Sequence, residues 1–202
     1  YGDVSLAAAN ISVTDVVTKD QADVIHGYNT AAGTTVTLSS VSDAFSNIDA
    51  LQGTAGVVMT GATITATSAE AVTKANATKL DGFTNKVVTV ASVKDTRSNV
   101  TDIAGLAGVD MSNAVATIDD AVTLAQVQTD VGNLNSLTTG KITLNEVADT
   151  YANVQEIKKI LDAQVDMGAA NVSVTSQTNI TEINDLRTND TTGNITINDV
   201  SE

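Results

Sequence analysis

Eight short strand-like stretches recur along the chain, and most read apolar, hydroxyl, apolar: Ile11-Ser12-Val13, Val36-Thr37-Leu38, Ile64-Thr65-Ala66, Val88-Thr89-Val90, Val115-Ala116-Thr117, Ile142-Thr143-Leu144, Val172-Ser173-Val174 and Ile195-Thr196-Ile197. A period of two turns the outer residues of each triplet onto one face and the middle residue onto the other, so each predicts a strand with one core face. About 11 residues after most of them stands an Asn, an apolar residue and, three further on, a second apolar residue. These are Asn47-Ile48 with Leu51, Asn76-Ala77 with Leu80, Asn99-Val100 with Ile103, Asn153-Val154 with Ile157, and Asn179-Ile180 with Ile183. The i, i+3 spacing places both apolar groups on one side of a helix. Gln126-Val127 and Asp23-Val24 read as degenerate copies.

Asp43, Asp95 and Asp149 each stand four positions before such an Asn. There a carboxylate can accept from the orphan amides that open a helix, so these acids read as helix starters. Glycines at 53, 82, 108, 132, 168 and 193 follow the helices and return the chain to the next strand. Near some of these turns lie Val58-Met59, Val109-Asp110-Met111 and Val165-Asp166-Met167, which read as core filling.

From Asp23 to Asn179 is 156 positions over six steps, a mean period of 26. A strand and a helix of this size cannot each hide an apolar face alone, so neighbouring copies must cover one another. The expected fold is therefore α/β: an αβ-solenoid of roughly 26-residue strand–helix repeats, with a parallel β-sheet face and a helical layer. Residues 1–202 read as a single solenoid segment of about seven repeats and the start of an eighth. Neither end reads as a cap, so the chain is expected to be a fragment of a longer repeat protein.

The chain is 42% hydrophobic, which sets it apart from disordered acidic tails, but only 2% aromatic and without Trp, so the core falls to Val, Ile, Leu and Ala. With 24 acidic and 10 basic residues, a formal charge of -14, its surface repels phosphate backbones and anionic headgroups, which argues against nucleic-acid partners. No stretch is long and apolar enough to insert in a membrane. The absence of Cys excludes thiol chemistry and Cys-held metals.

A repeat distributes like groups in parallel columns, whereas catalysis needs unlike groups converging, so each column reads first as structural. The Asn column is expected to satisfy backbone groups of the neighbouring repeat. His26 is the sole His and reads as an incidental helix residue. Asp119 with Asp120, and Glu182, Asp185, Asp190 and Asp199, predict weak calcium association at most, since no EF-hand or nonapeptide calcium loop is present. No cofactor is expected. The candidate interaction face is the strand hydroxyl column, Thr37, Thr65, Thr89, Thr143, Ser173 and Thr196, with Ser12 and Ala116 completing it.

The pattern V-x-V-x-D followed by an N-[IV]-x-x-[IL] helix, clearest from Val88 to Ile103 and from Val36 to Leu51, resembles the degenerate strand–helix repeats of giant surface proteins of marine bacteria and cyanobacteria, and of cyanophage appendage proteins. The resemblance covers essentially the whole chain. It implies an extracellular, cell-surface or virion-surface location and a structural role in a filament, adhesin stalk or virion appendage, without catalysis. The partners expected are flanking repeats of the same chain or end-to-end copies. The competing expectation is a binding module whose flat Thr/Ser face meets ice, a glycan or a partner protein. A polysaccharide-cleaving enzyme would need clustered carboxylates beside Lys or Arg.

Overall fold

The computed structural model describes residues 6–128, 138–160 and 165–201. It is mixed α/β, and the strand pairs whose register is described are parallel. Two compact units divide the chain, one of residues up to Ser92 with Ile103–Met111, the other of Val93–Asp102 with Ser112 onward.

In the first unit β1 (Ile11–Val17) leads to α1 (Lys19–Gly27), β2 (Val36–Asp43) to α2 (Phe45–Gln52), and the short β3 (Val57–Val58) and β4 (Thr63–Ala66) to α3 (Lys74–Asp81), with β5 (Val88–Val90) following. Its sheet runs β1-β2-β4-β5 and ends on β7 (Val109–Asp110), while β3 pairs with the first half of β2. Facing residues in successive long strands lie about one period apart, as in Ile11 on Val36, Val41 on Ile64 and Ile64 on Val88.

The second unit contains β6 (Ser92–Asp95, whose first residue falls in the first unit), α4 (Arg97–Ala104, whose last two residues fall in the first unit), β8 (Val115–Ile118) and α5, helical over residues 124–128. Then come β9 (Ile142–Leu144), β10 (Glu146–Asp149), α6 (Tyr151–Ile160), β11 (Val165–Asp166), β12 (Asn171–Asn179), α7 (Ile180–Asp185) with one π turn (Leu186–Asp190), and β13 (Ile195–Ser201). Its sheets run β6-β8-β9-β11 and β10-β12-β13.

Alternation along five strands fills the core as the period of two requires: Val36 and Leu38, Ile64 and Ala66, Val88 and Val90, Ile142 and Leu144, and Val172 and Val174 are all buried, whereas Ile11 and Val13 of β1 and Ile195 and Ile197 of β13 are half-buried. The helical pairs Ile48 with Leu51, Ala77 with Leu80, Val100 with Ile103 and Val154 with Ile157 are buried too, as are Met59, Met111 and Met167. One triplet is displaced. In β8 it is Ala116 and Ile118 that are buried while Val115 is exposed, so Thr117 takes the outward place expected of Ala116 and faces Thr143.

Two helices also sit out of the expected register. Thr18 caps α1 and Gln21 closes its capping box, so Gln21-Ala22 stands where Asp23-Val24 was expected; Ala22 is buried and Val24 exposed. Asn179 is itself the cap of α7, its box closed by Glu182, and the buried helical residue is Leu186. The turn glycines Gly53 and Gly82 cap their helices in the right-handed region, so neither position calls for a left-handed residue. Gly132 lies outside the described residues.

Segments alternate in kind. Ahead of the helix caps Thr18, Thr73 and Thr123 stands a buried Val17, Val72 or Val122, whereas Ala44, Thr96 and Thr150 follow Asp43, Asp95 and Asp149. The cap amide needs an acceptor in either case. In the Val class Gln21 and Gln126 reach back to the amides of Thr18 and Thr123, at 2.9 and 2.8 Å. In the Asp class the carboxylate itself accepts from Ala44, Thr96 or Thr150. The full period is thus a pair of segments, seen again in Val57-Val58-Met59, Val109-Asp110-Met111 and Val165-Asp166-Met167.

Candidate functional site

Three columns of polar residues are built by this repetition. The first centres on Asp43 and Asp149. Asp43 Oδ1 accepts from the amide of Ala44 and from Asn47 Nδ2, both at 2.8 Å, and its Oδ2 accepts from the Lys19 amide of the preceding helix at 2.8 Å. Asp149 repeats the set with Thr150 (2.7 Å), Asn153 (2.8 Å) and Leu124 of the preceding helix (2.8 Å). Asp95 takes the Thr96 amide and Asn99 in the same way. The Asn side chains therefore serve the Asp of their own segment, rather than the backbone of a neighbour, because Asn at the third helical position lies over a carboxylate four residues earlier.

Burial pushes the Asp43 carboxyl up, but the hydrogen bonds from Asn47, Lys19 and Ala44 outweigh it and hold the group below the usual carboxylate range. Asp149 is held low in the same manner, burial being outweighed by Leu124, Asn153 and Thr150. A second clamp runs the same way from the intervening segments, two of the Val class and one in which Thr178 stands in the Val place. Glu70 accepts from the Ser46 amide (2.8 Å), Asp120 from Arg97 (2.6 Å) and Ser176 from Tyr151 (3.1 Å), each in the first turn of the preceding helix. Carboxylates and hydroxyl oxygens thus meet the positive ends of helices from one segment to the one before it.

The third column is Thr84, Thr138 and Thr191, all buried, and none was foreseen from the sequence. Their hydroxyls donate to the carbonyls of Ala62, Ala114 and Ala170 at 2.6, 2.6 and 2.5 Å, and accept from the amides of Lys86, Gly140 and Gly193. Each stands four residues before a strand start, at Val88, Ile142 and Ile195, and that constant spacing is the signal that could have revealed them.

Of the outward hydroxyls, Thr37, Thr89 and Thr196 are exposed, and Thr65, Thr143 and Ser173 half-buried. Register sets them in short rows: Ser12 faces Thr37, which faces Val58 on its other side; Thr65 lies between Ser42 and Thr89, and Thr89 next faces Asp110. In the second unit Thr143 lies between Thr117 and Asp166, and Ser173 between Ala148 and Thr196.

Asp199 is exposed on β13, where it faces Gln177, and several other candidate groups have protein partners. Asp119 accepts from Asn145 (2.5 Å) and pairs with Lys94 (3.7 Å), Asp190 is enclosed by Lys158 and Gln155, and His26 Nε2 lies 2.9 Å from the Ala55 carbonyl oxygen. Among the described residues no group of three or more His, Asp or Glu is placed to hold a metal ion. No described helix is long and apolar enough to cross a membrane. Tyr151 donates to Asp185 at 2.9 Å, and Asn189 donates to the same carboxylate. Burial first, then that bond and the nearby charges of Asp185, Glu182 and Asp190, push the phenol up to about 12. The stability it lends is present below the ordinary phenol value and is lost as pH rises through about 12. In an ultraviolet pH titration of the folded protein, one of the three tyrosines is expected to ionise near 12, and Tyr151→Phe to remove that step.

No protein-family model matches the sequence, and no curated protein or solved structure matches it either.

Proposed function

We propose that the chain is a segment of an αβ-solenoid whose role is structural: a spacer in an extracellular filament, adhesin stalk or virion appendage, without catalysis and without a cofactor. The observation that carries this reading is the repeated bond from one segment to the helix of the segment before it, at Asp43, Glu70, Asp120, Asp149 and Ser176. Polar groups that an enzyme would aim into one cleft are spent here on joining neighbour to neighbour. Nearest-neighbour joining is what lets a repeat protein set length by copy number. Lys19, Lys79, Lys94, Lys141, Lys158 and Lys159 pair with acids, and the formal charge of -14 leaves a strongly acidic surface suited to a saline medium. The outward Thr and Ser rows then serve as a solvated β-face, because acids and apolar residues interrupt them at Asp110, Asp166 and Val58.

Electron microscopy of the protein from its native source tests this. Long rods of constant narrow width are expected. Short isolated particles would overturn the spacer reading and favour a binding module on the Thr/Ser face.

A further inference from the structure

Strand β1 ends the sheet of the first unit, with β2 on one side and no described strand on the other. Its free edge therefore offers a row of backbone amides and carbonyls for pairing. Beside it, β1 and α1 form a largely apolar groove of about 530 Å³ lined by Val13, Val16, Val24 and Ile25, with Asp15, Asp20 and Gln21 as its polar members. Val16 and Val24 are 62% and 60% exposed, so the apolar area is open rather than folded into the core.

Asp15 stands three residues before its helix cap, Thr18. Glu70, Asp120 and Ser176 hold that same place before Thr73, Thr123 and Asn179, and each accepts a first-turn amide of the helix one segment earlier. The helices that supply those amides all belong to Asp-class segments, those of Asp43, Asp95 and Asp149. Asp15 is exposed, and no described donor faces it.

We infer that the β1–α1 edge is a docking surface for one further strand–helix segment of the Asp class. The incoming strand pairs in parallel on β1 and its helix presents a first-turn amide to Asp15. Register follows from β10 on β12: as Val147 faces Val172 and Asp149 faces Val174, the incoming apolar residue faces Ile11 and the incoming Asp faces Val13. The positive end of the incoming helix meets the Asp15 carboxylate, and its apolar face covers Val16 and Val24. This inference rests on the stacked-segment reading proposed above and names the partner of its first edge.

The test uses the chain's own Asp-class segment. Residues 138–164 precede Val165-Asp166-Met167, and Val4-Ser5-Leu6 occupies the matching place before β1, so a copy of 138–164 is joined to Val4 in place of Tyr1–Asp3. The extended chain is expected to melt roughly 5 °C higher, with slow hydrogen exchange at the appended copy of the Tyr151 amide. Asp15→Ala is expected to remove much of that gain and to leave the unextended chain unchanged. An appended segment that exchanges freely, or an Asp15→Ala effect equal in both chains, would overturn the inference. Rods in the native source together with a segment that does not dock would sink this inference alone, and docking without rods would sink the spacer reading alone.

Discussion

Gly193→Ala is expected to destabilise the protein by about 3 kcal/mol, a fall of roughly 6–12 °C in melting temperature, and Gly140→Ala to do the same. The reason is a close approach of two backbones. A methyl at Gly193 would lie 2.6 Å from the Ala170 carbonyl carbon, and one at Gly140 2.6 Å from that of Ala114. These are the carbonyls that Thr191 and Thr138 hold, so neither strand can retreat without losing a buried hydrogen bond. Lys86 occupies the matching place after Thr84, and there a side chain is already accommodated. Lys86→Ala is therefore expected to change stability by no more than about 0.5 kcal/mol. Thermal melts of the three variants side by side check the contrast, and equal losses at all three would contradict it.

Asp149→Ala is expected to cost about 3 kcal/mol, because one carboxylate serves three donors on two segments. Its removal leaves the amides of Leu124 and Thr150 and the Asn153 side chain to find other acceptors. Asp149→Asn keeps one acceptor oxygen and is expected to lose less. The pH dependence follows from the lowered carboxyl. A group whose folded value lies below its unfolded one stabilises above the unfolded value, near pH 4 for an aspartate, and that stabilisation is lost as pH falls through the folded value. Asp43 and Asp149 together thus predict a protein that weakens below about pH 4, with Asp149→Ala flattening part of that slope. Urea denaturation at neutral pH and at pH 3 measures both effects.

The parallel pairing, the mean period and most of the buried columns were legible in the sequence, because alternation and i, i+3 spacing are properties of single segments. What escaped depends on how segments meet. The bond from Asp43 back to the Lys19 amide spans 24 positions and exists only once the register of β1 on β2 is set. The two classes were hidden because a buried Val72 and a half-buried Asp43 were compared through the Asn that follows each, and that Asn has a carboxylate beneath it only in the Asp class. Asn179 misled for a related reason: an Asn at a helix cap and an Asn in the first turn look alike in a list of residues, and only the cap geometry separates them. At Ala116 the triplet pattern failed because Val115 is apolar yet outward, so one small residue shifted the reading by one position. The possible interaction face was legible residue by residue, whereas its division into short rows was not, since β2 pairs with β3 along its first half and with β4 along its second.

The central claim is that paired segments are interchangeable units, each joined only to its neighbours. Excising residues 57–108, one full period from Val57 to the matching Val109, tests it most directly. The shortened chain is expected to keep a cooperative melt and an unchanged far-ultraviolet signal per residue, because Val109 then follows Gly56 as Val57 does. An excision ending half-way through a segment, residues 57–95, is expected to unfold. If the in-register excision also abolished cooperative folding, the account of the chain as a stack of equivalent paired segments would be wrong.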